Sequence, residues 1–306
     1  MKEKIIYDLD PGIDDAISLI VGLNCEQIDI KLITTVFGNI SLQKSTLNAC
    51  YIAQNFEKKT IEIYSGAEVG LDSVLSRDAS HVHGSGGLGN TVRAENVIKS
   101  TSNKPDFGAV EAMHQVICEN PNEITIVSVG PVTNIAKLLI KYPDDAKLLK
   151  GIVLMVGSLD GKGSVTPYSS FNCFCDPEAV DVVIKTKVPI TISPKEMGIW
   201  SAFDTEQRNK FKKFGKAGRF IYDLCDGYRD SLLPPDKYAM HDTCALLSIL
   251  DTDIFTRKKV KMSVNTTSEE KRGQTLFEES ADSNITLLTN VNKKKLFEKV
   301  ENILSL

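Results

Sequence analysis

What this sequence lacks narrows its function. It has no excess of positive charge: 36 Lys+Arg stand against 40 Asp+Glu, a formal net charge of -4 over 306 residues. No basic field is therefore available to attract a nucleic-acid backbone, and nucleic acid is excluded as the expected partner. It has no apolar run approaching the ~20 residues of a membrane span, and its first ten residues, MKEKIIYDLD, hold no apolar stretch of signal-peptide length. Cysteine is sparse and scattered: seven residues, an odd number, in a chain too long to need a disulfide framework. Reduced thiols and a cytoplasmic location are expected. Cys173 and Cys175 form a C-x-C with no second Cys or His pair at metal spacing, so they read as small apolar residues in or near a strand. No repeat, low-complexity tract or linker divides the chain. One domain over residues 1–306 is expected, with a composition (42% hydrophobic, 25% charged) ordinary for a soluble globular protein.

What is present is alternation. KIIYDLD, IDIKLITTVF, IEIYSG, EITIVSVG, IVLMVGS and VPITISP read as buried strands. Between several of them lie helical patterns: DDAISLIVGLN, SLQKSTLNACYIAQNF with Ser41 as N-cap, VTNIAKLLIKY and DPEAVDVVIKT. Residues 204–250 look helical apart from LLPPDKYAM, and three strands and a closing helix, NKKKLFEKVENIL, follow. Strands joined by crossover helices predict an α/β fold with a mostly parallel central sheet flanked by helices. Residues 66–104 are Gly- and Ser-rich without periodicity, and read as a long active-site loop over one sheet edge.

Ligands of open α/β sheets bind beyond the carboxyl ends of the strands. Four segments bring polar or Gly-rich tips there: Asp8 to Asp15, Gly38–Asn39, Val129–Gly130 and Met155 to Ser158. The first packs four aspartates into eight residues. Carboxylates held together resist ionisation unless a cation offsets them. A set of oxygen donors with no Cys or His at ligand spacing selects a hard ion, Ca²⁺ or Mg²⁺. Pro11 and Gly12 suit a tight turn that would let Asp10 and Asp15 face one point. Asp14 and Asp15 could also merely open a helix, where the dipole favours acids. DLDPG partly imitates the DxDGT motif of haloacid-dehalogenase phosphatases, but Pro11 and Gly12 replace its Gly-Thr pair. GSGGLG at Gly84 to Gly89 imitates a dinucleotide loop, but follows HVH rather than a strand.

DLDPGIDDA closely resembles the DTDPGIDDA signature of the inosine/uridine-preferring nucleoside hydrolase family. TTVFGN, HGSGGLG, GPVTNIA, FNCFCDPEA and HDTCA resemble further landmarks of that family in the same order along nearly the whole chain. The resemblance implies a Rossmann-like nucleoside hydrolase fold, a Ca²⁺ cofactor, and hydrolysis of the N-glycosidic bond of a nucleoside in nucleoside salvage. It implies a homodimer or homotetramer. Asp10, Asp15 and Asp242 would hold Ca²⁺ through side chains and Val129 through its carbonyl, and Asp10 would also take a proton from the attacking water. Asp14, Asn39 and Asn172 would hold the ribose hydroxyls, and Met155 would line the sugar pocket. His241 would protonate the departing base. His83 would lie near the entrance or move with a lid, and Tyr228, with Tyr222, would stack on the base or simply pack.

One stretch departs from the pattern. Relatives read approximately GNVTPAAEFN, whose Asn and Glu grip the ribose 5′-hydroxyl. This chain reads GSVTPYSSFN, placing Ser164 and Ser170 there, with Lys162 two residues away as a source of charge. A carboxylate repels an anionic 5′ group, whereas serine hydroxyls can donate to one. The expected substrate therefore carries a changed 5′ position, such as a nucleoside 5′-monophosphate, or is a modified nucleoside such as queuosine. An ordinary nucleoside with a weakened grip, or a binding protein without turnover, are the alternatives. Lys195 and Glu196, in SPKEMG, and Asp8 have no assigned role.

Overall fold

A computed structural model describes residues 2–57, 60–72, 78–89, 91, 108–250 and 253–305. Strand β1 (Glu3–Leu9) lies inside a nine-stranded sheet, between β2 (Ile28–Thr35) and β4 (Ile124–Ser128). Outward from β2 lies β3 (Ile63–Ser65); outward from β4 lie β5 (Gly151–Leu154), β6 (Ile190–Ile192) and β11 (Ile285–Val291), each parallel to the strand inside it. Two antiparallel strands, β9 (Phe255–Val264) and β10 (Thr275–Glu279), complete that edge. A separate two-stranded ribbon pairs β7 (Phe203–Asp204) with β8 (Lys237–Tyr238).

Alternation along the central strands divides the apolar side chains between two cores. Ile5, Tyr7 and Leu9 face one side while Ile6 faces the other, and Val127 opposes Ile124 and Ile126 in the same way. The first core is covered by α1 (Ile13–Asn24), α2 (Leu42–Phe56), α10 (Gly215–Leu224), α11 (His241–Leu247) and α12 (Lys293–Leu304). The second is covered by α4 (Ala109–Glu119), α5 (Thr133–Lys141) and α7 (Pro177–Ile184). No helix among the described residues is long and apolar enough to cross a membrane.

Several local features differ from the sequence expectation. Within residues 66–104 a short helix, α3 (Ser80–His83), forms where no periodicity signals one; residues 73–77, 90 and 92–104 of that loop lie outside the described residues. α4 was not anticipated, although Ala109, Ala112, Met113 and Ile117 recur at helical spacing and are buried. Cys173 and Cys175 sit on α6 (Phe171–Cys175), not in a strand; both are buried. Ser41 is the N-cap of α2 with extended backbone, but its side chain makes no capping bond. α8 (Lys195–Ser201) was unmarked because its first turn buries two charged residues, Lys195 and Glu196, instead of an apolar stripe.

The chain runs from β1 outward through β2 to β3, then crosses to β4 on the other flank of β1. The strand order thus reverses between β1 and β4. At such a switch point the two following connections diverge, leaving a crevice above the carboxyl ends. Asp10 follows β1 directly, and Val129 follows β4.

Candidate active site

The crevice is built around Asp10. Its Oδ2 accepts the Asn39 backbone N–H at 2.7 Å, while its own N–H donates to Asp15 Oδ1 at 3.2 Å. Asp15 Oδ2 also accepts from the Gly12 N–H at 3.0 Å and Asn39 Nδ2 at 2.9 Å, so this carboxylate both caps α1 and ties it to the β2 connection. Two glycines close on Asp10. A Cβ at Gly38, whose φ is +155°, would stand 2.0 Å from Asp10 Oδ2, and one at Gly130 would stand 2.7 Å from Oδ1. Only residues without side chains let two connections approach one carboxylate so closely.

Asp8 supports this arrangement from below. It is fully buried and accepts from Thr34 Oγ1 (2.7 Å), Asn134 Nδ2 (2.8 Å) and Ser128 Oγ (3.2 Å). Asn134 in turn donates to the Thr35 carbonyl and accepts from the Ala67 N–H. Asp8 thereby locks β2, β4 and α5 to the end of β1. Burial raises its pKa to about 6 despite the three donors.

Carboxylate oxygens of Asp14, Asp15 and Asp242 all lie within 4.8 Å of one another. Asp242 enters from the first turn of α11. Burial, then the neighbouring carboxylates, push three pKa values up: Asp15 to about 7, and Asp10 and Asp242 well above the ordinary range. Among the described residues, Asp10 Oδ1 and Asp14 Oδ1 are buried without any hydrogen-bond partner. Buried carboxylate oxygens are normally paired, so these orphans and the mutual repulsion fit a cation held among these aspartates. The donors are all oxygen, which suits Ca²⁺ or Mg²⁺. The Val129 carbonyl accepts Asn172 Nδ2 at 2.6 Å and retains a second lone pair.

Above the carboxylates opens a cavity of about 270 Å³, near the lower end of the range for small-ligand sites. Val129, Asp242 and His241 line it, as do all the residues expected to touch substrate: Asp14, Asn39, His83, Met155, Ser164, Ser170, Asn172 and Tyr228. Asp10 and Asp15 lie beneath this lining, joined to it through Asn39. His83 is buried, and its Nδ1 accepts the Ile13 N–H at 3.1 Å. Burial lowers its pKa, outweighing Asp14 and Asp230; the ring accepts from the start of α1 while lining the cavity. Tyr222 does not line the cavity; Arg208 and Lys212 stack over it.

Two side chains escaped sequence reasoning. Asp230 stands on the cavity wall, its Oδ2 3.6 Å from His241 Nε2 and within reach of the Tyr228 hydroxyl at 3.2 Å, while Oδ1 accepts the Leu232 N–H. Burial alone would lower the His241 pKa, but the Asp230 bond and the Asp14 charge raise it above its ordinary value. The second is Lys195. Its buried ammonium lies 3.0 Å from Glu196 and 3.5 Å from Asp160, and it lines the cavity. Glu196 is fixed by Ser158 Oγ and the Leu159 N–H. Lys162, expected to supply the charge here, is 80% exposed, faces Asp160 at 4.0 Å and is absent from the lining. Sequence adjacency placed it near Ser164; the direction of its side chain does not.

Comparison with known proteins agrees with this architecture. Residues 5–298 match the family described as inosine-uridine preferring nucleoside hydrolase. The chain is 34% identical over 274 residues to the non-specific ribonucleoside hydrolase RihC of Salmonella paratyphi C, covering 90% of this chain and 87% of that protein. The Salmonella typhi RihC gives the same figures. Among solved structures it is similar to the plant nucleoside hydrolase PpNRh1 (TM-score 0.91, 25% identity, covering 100% of this chain and 99% of that one). The fold is also shared with a purine-preferring ribonucleoside hydrolase from Gardnerella vaginalis (TM-score 0.90, 22% identity, covering 99% and 98%).

Proposed function

Because this chain belongs to the inosine-uridine preferring nucleoside hydrolase family, we propose that it hydrolyses the N-glycosidic bond of a ribonucleoside with Ca²⁺ as cofactor. The reaction releases free base and the sugar, a step of nucleoside salvage in the cytoplasm. The observation that carries this reading is the buried aspartate cluster, with orphaned oxygens on Asp10 and Asp14, on the floor of a cavity whose wall holds His241.

Asp10, Asp15, Asp242 and the Val129 carbonyl would hold the ion. When bound, Ca²⁺ supplies charge neutralisation and Lewis-acid assistance to a water and to the ribose diol. Asp10 Oδ1, free of other partners, accepts the proton of the attacking water. Asp14, Asn39 and Asn172 orient the ribose hydroxyls, and Asn172 is itself steadied by the Val129 and Met155 carbonyls. Fixing the sugar matters because glycoside cleavage passes through an oxocarbenium-like state. His241, kept protonatable by Asp230, donates to the leaving base. Release of base and reducing sugar from a ribonucleoside panel, abolished by EDTA and restored by Ca²⁺, is the expected result. No base from any member of the panel supports a binding protein, and inorganic phosphate from phosphomonoesters supports a phosphatase.

The changed 5′ site extends this reading. Ser170 Oγ accepts the Gly157 N–H at 2.9 Å, and the Gly157 carbonyl accepts the Lys195 backbone N–H at 3.1 Å, so Lys195 is tied through Gly157 to Ser170, one of the two serines that replace the usual grip. Its ammonium has two carboxylates beside it, a surroundings with excess negative charge. That favours a neutral oxygen, a 5′-hydroxyl or the 5′ end of a modified nucleoside, over a dianionic phosphate. Lys195→Met should raise KM for the preferred nucleoside by about tenfold, the loss of one hydrogen bond to a charged donor. KM for its 5′-deoxy analogue should barely change. Equal effects on both substrates, or faster turnover of 5′-monophosphates that Lys195→Met abolishes, would show a different use of this lysine.

A further inference from the structure

We propose that His114, Cys118 and Asp145 form a second metal site, on the outer face of the fold, that takes a zinc-like divalent cation. The site is separate from the carboxylate cluster and uses different donors. His114 and Cys118 are four residues apart on α4, so their side chains share one helix face. Asp145 comes from the connection between α5 and β5.

One donor atom from each residue lies within 4.8 Å of the other two. His114 Nδ1 is the focus: it stands 3.0 Å from each Asp145 oxygen and 3.7 Å from Cys118 Sγ. Tetrahedral zinc, with Zn–S of about 2.3 Å and Zn–N and Zn–O of about 2.0 Å, separates S from N by about 3.6 Å and N from O by about 3.3 Å. The N–S and N–O separations already stand near those edges. The His114 ring is held in place by stacking on Tyr142, with centroids 3.9 Å apart and planes at 8°.

The charge balance points the same way. Asp145 is buried, and among the described residues a single ring nitrogen faces both of its oxygens. A carboxylate can accept about four hydrogen bonds, so one donor leaves most of its capacity open. Burial, then the charges of Asp145 and Glu119, push the Cys118 thiol pKa up; a cation drawn to the same negative charges would supply the partner that its thiolate lacks. Glu119 itself is bonded by Gln115 Nε2 at 2.8 Å. Imidazole, thiolate and carboxylate together suit zinc, cobalt or nickel rather than Ca²⁺. On binding, the Cys118 thiol proton passes to solvent, the ring of His114 gives up the Nδ1 proton it now shares with Asp145 and keeps its proton on Nε2 as the neutral tautomer, and a water completes the coordination at the exposed side.

The test uses Co²⁺ as a coloured zinc substitute on the full-length protein, with Zn²⁺ measured by calorimetry. A cobalt–thiolate charge-transfer band identifies sulfur coordination, and the active-site cluster has no sulfur donor. Cys118 is the exposed thiol, whereas Cys25, Cys50, Cys173, Cys175, Cys225 and Cys244 are buried. One equivalent of Zn²⁺ should bind, with the band present in the wild type, lost in Cys118→Ser, and Zn²⁺ affinity at least tenfold weaker in Asp145→Asn. Circular dichroism of both variants should match the wild type. Absence of the band, the same band in Cys118→Ser, or Zn²⁺ affinity no tighter than about 1 mM would overturn the proposal.

Discussion

Asp10→Asn should lower kcat by about 10²- to 10⁴-fold, the usual contribution of a positioned proton acceptor, while leaving the protein folded. The substitution is isosteric, and the amide oxygen can still accept the Asn39 N–H that now binds Oδ2. What disappears is basicity at Oδ1, together with one negative charge from a cluster that repels itself. A purely structural role predicts the opposite pattern of stability. Asp10 carries a pKa well above the carboxylate range because burial, and then Asp15, oppose its charge. Removing that charge should therefore raise the melting temperature of the calcium-free variant above that of the calcium-free wild type. Loss of turnover combined with gain of stability separates a functional carboxylate from a scaffold residue. The measurement is kcat at saturating Ca²⁺ and substrate, beside thermal melts in EDTA. A variant within tenfold of wild-type kcat would remove Asp10 from the proposed mechanism.

Part of the cluster was legible in the sequence because Asp10, Asp14 and Asp15 are tied to local rules, whereas Asp242, on α11, entered only through the family resemblance. A buried strand followed at once by acids, a turn and a helix places Asp10 and Asp15 at a strand end and a helix start. Asn39 and Val129 follow from the same logic on β2 and β4. What could not be read depends on contacts between distant segments. Asp8 looked like a stray acid because its three donors, Thr34, Ser128 and Asn134, come from three other elements. Asp230 lies in a loop where nothing local marks it, and acquires meaning only when α11 brings His241 to 3.6 Å. Lys195 was obscured twice: its helix lacks an apolar stripe, and beside its neighbour Glu196 its charge is matched by Asp160, which only the folded chain brings there. Strand-end position is a property of a segment. Pairing of buried charges is a property of the fold.

Calcium should stabilise the protein more at pH 8 than at pH 5.5. Asp15 has a folded-state pKa of about 7 and Asp8 about 6, while Asp10 and Asp242 are pushed well above the ordinary carboxylate range, all raised primarily by burial. A carboxyl group whose folded pKa exceeds its unfolded value holds its proton more tightly in the folded chain. Its stabilising contribution is complete below the unfolded pKa near 4 and is lost as pH rises through the folded value. The EDTA-treated protein should accordingly lose melting temperature between pH 5.5 and pH 8. A cation in the cluster substitutes for the missing protons at Asp10, Asp15 and Asp242, so the loss should largely vanish with Ca²⁺ present. Asp8 accepts from three protein donors and should keep its share of the slope in both conditions. At an ion concentration about 100 times its Kd, the stabilisation is about 2.7 kcal/mol, or roughly 5 °C for a chain of this size. Protons compete with the ion at pH 5.5, where the increment should shrink. The comparison is the difference in melting temperature with and without Ca²⁺ across the pH series, which cancels titrating groups elsewhere. A difference independent of pH would mean that the aspartates are not the residues that bind the ion. No difference at any pH would remove the cation from the folded cluster altogether.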